Sequence, residues 1–223
     1  MSWTRIPTAA LLAAGLAAGC ATPKPPPATL SFTGRDCAAA PDLAKAVSLT
    51  PPKPKPMFVV TTPIGAQVGT PVAGPPACLE RAGAQRPYAL YALPKDPAGK
   101  TLMVGSVLEG ARIFSPEVAL LDATGQVTRS FTPADYFYRA DVYSVQFQPK
   151  AGETYILVDA DPARVSRRYD SIAIGVNTTA TYVAGVGAVT IRTGVDAKQS
   201  RTFSYDGQVQ VTVYDAAADA KKK

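Results

Sequence analysis

A chain of 223 residues with 23 Lys plus Arg against 17 Asp plus Glu carries a formal charge of +6 and contains no histidine. The absence of histidine excludes Ser/His/Asp and Cys/His nucleophilic catalysis, and zinc sites built on imidazole. The length suffices for one domain with a sizeable core.

Met1–Gly19 reads as a processing segment rather than as fold. It has one Arg (Arg5) near its start, an apolar run from Ala9 to Ala18 and small residues up to Cys20. The run is shorter than the roughly 20 apolar residues that span a bilayer. Leu16-Ala17-Ala18-Gly19-Cys20 resembles the lipobox of bacterial lipoproteins, with Ala17 where Leu is usual. That resemblance implies lipidation of Cys20 and attachment to a membrane through its acyl chains. Ala21, standing where an Asp would imply inner-membrane retention, implies the outer membrane, with the protein facing the periplasm. Acyl chains contribute about 0.8 kcal/mol per buried CH₂, so several of them anchor a protein without help from an amphipathic helix.

From Cys20 to Pro56 the composition is that of a tether. Pro23, Pro25, Pro26 and Pro27, then Pro51, Pro52, Pro54 and Pro56, favour extended polyproline II, and Lys24, Lys53 and Lys55 keep it solvated. A short helix is signalled weakly over Pro41–Val47. With Cys20 carrying lipid, Cys37 and Cys78 remain as a pair in an oxidising compartment. A bond between them closes a loop of about 40 residues, and two cysteines without histidine make a poor metal site.

The folded domain is expected over 57–215, with strands at Met57–Thr61, Tyr88–Leu93, Thr101–Leu108, Glu117–Asp122, Gln126–Phe131, Val142–Phe147 and Thr154–Ala160. Later strands are expected at Ile172–Val176, Thr181–Val183, Val189–Thr193 and Gln208–Tyr214. Tyr143, Val145 and Phe147 alternate with Ser144, Gln146 and Gln148, and Val209, Val211 and Val213 alternate with Gln208, Gln210 and Thr212, which is the period of half-buried strands. Ala123-Thr124-Gly125 and Pro149-Lys150-Ala151-Gly152 read as turns. Thr154–Asp159 is apolar on both faces and so reads as a central strand. Many short strands without a long helix give an all-β fold, a single antiparallel β-sandwich or jelly-roll-like domain. Residues 216–223, ending in Lys221-Lys222-Lys223, read as a basic disordered tail.

Candidate sites are few. Gly185-Val186-Gly187 lacks the third glycine of a dinucleotide loop and reads as a flexible turn. Asp159 and Asp161 stand at a strand end, where they either help to hold a calcium ion or, the commoner arrangement, form a turn. Arg164, Arg167 and Arg168 read as a solvated loop. In Asp135-Tyr136-Phe137-Tyr138-Arg139, alternation places Tyr136 and Tyr138 on one face, next to Arg139. Two such rings either complete an edge of the sandwich with their hydroxyls toward solvent, the commoner arrangement, or form a platform for a protein partner or a glycan.

Arg86-Pro87-Tyr88-Ala89-Leu90, Phe114-Ser115-Pro116-Glu117-Val118-Ala119-Leu120-Leu121-Asp122 and Gly152-Glu153-Thr154-Tyr155-Ile156-Leu157-Val158, with the closing Tyr205-Asp206-Gly207-Gln208-Val209, resemble the maltose-operon periplasmic protein (MalM) family over about residues 86–214. The resemblance implies a periplasmic accessory protein without catalytic activity, linked to sugar uptake. The expectation is therefore a lipid-anchored protein that is not an enzyme, needs no cofactor, binds no nucleic acid and acts through a protein partner or, alternatively, a glycan or maltodextrin.

Overall fold

A computed structural model describes residues 27–33, 36–65, 77–139, 141–183 and 187–220, with residues 171–183, 187–199, 219 and 220 described by backbone alone. The leader over 1–19, Cys20, the following tether residues to 26, Gly185 and Val186 of the expected turn, and the lysine tail lie outside the described residues. No helix among the described residues is long and apolar enough to cross a membrane.

The fold is a β-sandwich. In chain order the strands are β1 (Val47–Ser48), β2 (Met57–Ile64), β3 (Cys78–Arg81), β4 (Ala84–Ala92), β5 (Lys100–Glu109), β6 (Arg112–Phe114), β7 (Pro116–Leu121) and β8 (Val127–Ser130). They continue with β9 (Phe137–Arg139), β10 (Val142–Phe147), β11 (Tyr155–Ala160), β12 (Arg168–Val183), β13 (Gly187–Ser204) and β14 (Gly207–Asp215). One sheet runs β1-β4-β11-β7-β8, with β3 added to β4; the other runs β12-β13-β6-β5-β10-β9, with β14 on β5 and β2 on β14. Pairings are antiparallel except β1 with β4 and β13 with β6, so both sheets are mixed by one short parallel contact each.

Alternation builds the core as expected. Tyr143, Val145 and Phe147 of β10 and Val209, Val211 and Val213 of β14 turn inward with Leu102 and Val104 of β5. They meet Ala89 and Tyr91 of β4, Val118 and Leu120 of β7, and Ile156 and Val158 of β11 from the other sheet. Strand β11 lies between β4 and β7, which is why both of its faces are apolar. Thr212, expected to face outward, is buried. Glycine at position 105 is a packing requirement: a Cβ there would lie 2.0 Å from the Tyr143 carbonyl oxygen. The β7–β8 turn is set by Asp122, whose Oδ1 accepts from the Thr124 hydroxyl and from the backbone N–H groups of Thr124 and Gln126. Gly125 supplies the positive φ of +86° that this turn needs.

Much of the expected tether belongs to the folded unit. Cys37 and Cys78 are disulfide-bonded, with Cα atoms 4.8 Å apart. Ala38 bridges to Leu79, a 3₁₀ turn spans Leu43–Lys45 where a short helix was signalled, β1 adds to β4, and Leu49 is fully buried. The physical reason is the outer face of the first sheet. Leu90, Leu121 and Leu157 point away from the main core and form a second apolar cluster with Leu79, which Leu43 and Ala46 cover. Proline content marks this stretch as solvated, whereas the disulfide and the outward-facing leucines recruit it as a lid. The chain end differs too: Ala216–Ala220 is a short helix, with Asp215 Oδ1 accepting from the N–H groups of Ala217 and Ala218.

Candidate functional site

Strands β12 and β13 are the longest among the described residues, with 16 and 18 residues, where the sequence pattern predicts three short strands. They pair with each other from Arg168↔Thr202 to Val183↔Gly187. Strand β13 meets the rest of the sandwich through Thr202, Phe203 and Ser204, which pair with Arg112, Ile113 and Phe114 of β6. Because β13 runs parallel to β6, residues before Thr202 lie past the start of β6, beyond the turn at Gly110 and Ala111 that joins it to β5. The hairpin therefore leaves the sandwich as a two-stranded arm. At about 3.3 Å per residue, sixteen paired residues span about 53 Å.

The root of the arm is held by buried polar groups. Arg164 is 8% exposed, with its guanidinium carbon 4.4 Å from the Phe203 ring centre, 5.0 Å from Tyr143 and 5.4 Å from Tyr136. It also donates from Nη2 to the Tyr143 hydroxyl at 2.6 Å. Tyr143 in turn lies 5.2 Å from Tyr136 and 4.9 Å from Tyr169 of β12. A cation enclosed by ring faces and hydrogen-bonded is satisfied without a carboxylate. Burial raises the pKa of the Tyr143 and Tyr136 hydroxyls, so both remain neutral phenols. On the other side of the root, Arg112, 2% exposed, donates from Nη1 to Asp206 Oδ2 at 2.5 Å and from Nε to Glu109 Oε2 at 3.2 Å. Asp206 Oδ1 accepts from the Ser204 hydroxyl and from the Thr29 N–H. Thr29 also donates from its N–H to Ser204 Oγ at 2.8 Å, its carbonyl accepts from the Tyr205 N–H, and Phe32 stacks on Tyr205. Residues 29–32 are thereby fastened to the exit of the arm.

The aromatic platform expected from Tyr136 and Tyr138 does not form. Thr132 and Asp135 close a 3₁₀ turn over Pro133–Asp135, with Asp135 Oδ2 accepting from the Thr132 N–H and hydroxyl. Alternation holds after the turn, so Tyr136 and Tyr138 do share a face, but it is the inward one, Tyr138 being paired with Tyr143 of the core. Tyr136 drops into the core at 7% exposure, its hydroxyl accepting from the Val118 N–H, while Tyr138 is half-buried opposite Tyr143. Phe137 is the exposed ring, at 58%, with the Arg139 guanidinium 5.4 Å above it. Arg139 Nη1 donates to the Ser144 carbonyl at 2.6 Å, and Arg139 lines an open groove of about 350 Å³ with Thr101, Met103, Gln146 and Tyr214. Of the arginine run, Arg167 and Arg168 are exposed as expected, whereas Arg164 is not.

Asp159 and Asp161 serve separate purposes. Asp161 Oδ1 accepts from the Ala163 N–H in a turn. Asp159 is fully buried on the outer face of the first sheet, beside Glu117, its register partner on β7. Its Oδ2 accepts from Arg81 at 3.2 Å and lies 3.5 Å from Arg86, and Arg86 also pairs with Glu117 at 2.6 Å. Burial first and the Glu117 carboxylate second push the Asp159 pKa up to about 6, against the two guanidinium groups. Both carboxylates are engaged by arginines, and no group of three or more His, Cys, Asp or Glu side chains among the described residues could hold one metal ion. Compared with protein-family models, curated proteins and solved structures, the chain matches none.

Proposed function

We propose that this protein is a non-catalytic lipoprotein of the outer membrane, anchored through Cys20 and facing the periplasm, that serves an outer-membrane system as an interaction or assembly module. The arm of β12 and β13 carries this reading. A two-stranded ribbon is marginal by itself, because three or more strands or a packed face are needed for independent stability. Its edges present rows of backbone N–H and C=O groups that suit the addition of another strand. Meanwhile Arg164 and the Arg112–Asp206 pair hold the root firmly, so force or alignment gained at the arm passes to the sandwich. The lipobox at Cys20 supports the membrane part of the reading. The tyrosine platform, offered to a protein partner and a glycan alike, supports neither, since Tyr136 is in the core.

The test is to replace residues 171–199 by Asn-Gly, keeping the root pairs Arg168↔Thr202 to Asp170↔Ser200. The expected chain folds and fractionates with the outer membrane, but is lost from high-mass complexes on native gels of membrane extracts. Unchanged complexes would refute the arm as the docking element. Separately, Cys20→Ser should release the chain from the membrane fraction, and an unlipidated native chain would remove the anchor from the reading.

A further inference from the structure

The two edges of the arm are not equivalent. From Ser171 to Val183, β12 contains no charged residue and no proline. Over the facing segment Gly187–Gln199, β13 carries Arg192, Asp196 and Lys198. Charged residues, lysine above all, are what proteins place on an edge strand to prevent another strand from pairing with it. The β13 edge is guarded in this way and the β12 edge is not. The backbone of Ser171–Val183 forms no strand pairing other than that with β13 among the described residues.

We propose that the unguarded β12 edge pairs antiparallel with the β12 edge of a second copy of this chain. The result is a four-stranded sheet of order β13-β12-β12-β13 about a twofold axis near Asn177, the midpoint of the uncharged run. This rests on the reading of the arm as a docking element and names its partner. Three observations favour a second copy. An antiparallel edge is complementary to itself under a twofold axis, so each hydrogen bond formed is formed twice. The four-stranded product removes the marginality of a lone ribbon. The sandwiches also fit: antiparallel arms carry their roots at opposite ends of an overlap of about 40 Å, from thirteen residues at about 3.3 Å each. Parallel arms would require two sandwiches to share one end with strands only about 4.8 Å apart, which their bulk forbids.

The register of the arm also argues for protein rather than lipid. Each strand alternates, with Ile172, Ile174 and Val176 in one row of β12 and Val189, Ile191 and Val195 in one row of β13. Pairing joins even with even and odd with odd positions, as in Ile174↔Asp196 and Thr179↔Ile191. Each face of the ribbon thus takes the apolar row of one strand and the polar row of the other. A lipid-facing hairpin needs both apolar rows on one face.

The experiment uses the full chain in its native membrane. Asn177→Cys on β12 and Thr193→Cys, its register partner on β13, are each oxidised in membranes and resolved on non-reducing gels. The expected result is a homodimer band for Asn177→Cys and none for Thr193→Cys. Equal bands, no band, or an adduct with a different protein would each overturn the pairing. As a second measurement, Asn177→Lys and Asn177→Asp in detergent should each weaken self-association by up to about five-fold, the effect of like charges facing across strands. A mixture of the two should restore it, and failure to restore would count against homotypic contact. If excising the arm abolishes native complexes while Asn177→Cys gives no homodimer, the docking reading stands and the second copy is wrong. If excision changes nothing, both fail.

Discussion

Strands β12 and β13 form one continuous hairpin, yet its two ends are held by different physics. Up to Asp170 and from Ser200 onward, the ribbon sits among rings and buried charges: Tyr136, Tyr143 and Phe203 around Arg164, Tyr169 against Tyr143, and Arg112 on Asp206. Beyond these positions, among the described residues, the strand pairings join the two strands to each other alone. A backbone hydrogen bond adds only about 1 kcal/mol net, because water offers the same bond to the open strand. Burial and packing at the root have no such substitute in water. The hairpin is therefore stable where it is fastened and adaptable where it extends, a division suited to an element that docks without disturbing its support.

Four measurements would break or sharpen that contrast. The largest effect is expected at the disulfide, outside the hairpin. Replacing Cys37 and Cys78 together by Ser frees a closure of sequence separation 41 and should cost about 4 kcal/mol in urea unfolding. A loss well under 1 kcal/mol would mean that the lid over Leu90, Leu121 and Leu157 adds nothing to the sandwich. Next comes the root: Arg164→Ala removes one hydrogen bond and three ring contacts from a buried position, and should cost about 3 kcal/mol. A surface-like loss of a few tenths would show that the rings pack without the cation.

A smaller, pH-dependent effect is expected at Asp159. Its folded pKa of about 6 exceeds the ordinary 3.8, so the folded state binds the proton more tightly between those values. The stabilising contribution is complete below the lower value and is lost as pH rises through the upper one. The stability of Asp159→Asn relative to the unchanged chain should consequently improve by about 2 kcal/mol between pH 4 and pH 7. A difference that is flat with pH, or opposite in slope, would show that Arg81 and Arg86 fully offset the burial. The smallest effect is assigned to the arm itself. Excising residues 171–199 should shift the unfolding free energy of the sandwich by less than about 1 kcal/mol. A larger loss would mean that the arm is a structural brace.

Local patterns were legible in the sequence and distant partnerships were not. The alternation in Tyr143–Phe147 and Val209–Val213 located two core strands, and the two-sided apolar run in Thr154–Asp159 marked the centre of its sheet. Both signals depend on period two, which a chain displays without reference to its neighbours. Tyr136 was misplaced because alternation tells which residues share a face and not which face is inward, and its hydroxyl meets the Val118 N–H of a distant strand. Arg164 reads as solvated beside Arg167 and Arg168, since the rings that enclose it come from β10, β13 and the turn before β9. Asp159 likewise finds Arg81 and Arg86 more than seventy residues away. The arm was broken into pieces near Asn177 and at Gly194, residue types that weaken a strand signal without ending the strand.

The fastening of Thr29 to Ser204 and Asp206 has a consequence for how copies would meet. With Cys20 in the bilayer as proposed, nine residue steps lead from it to Thr29, a leash of at most about 32 Å. The arm it is tied to is longer than the leash, at about 53 Å. An arm aimed at the membrane would strike the headgroups before its length was spent. Lying alongside the bilayer, it would sweep a thin layer above the surface, with its edge already in the plane of its neighbours. Encounter between arms would become a two-dimensional search, set by the surface density of the protein rather than by its bulk concentration. A twofold axis standing along the membrane normal would satisfy both leashes at once.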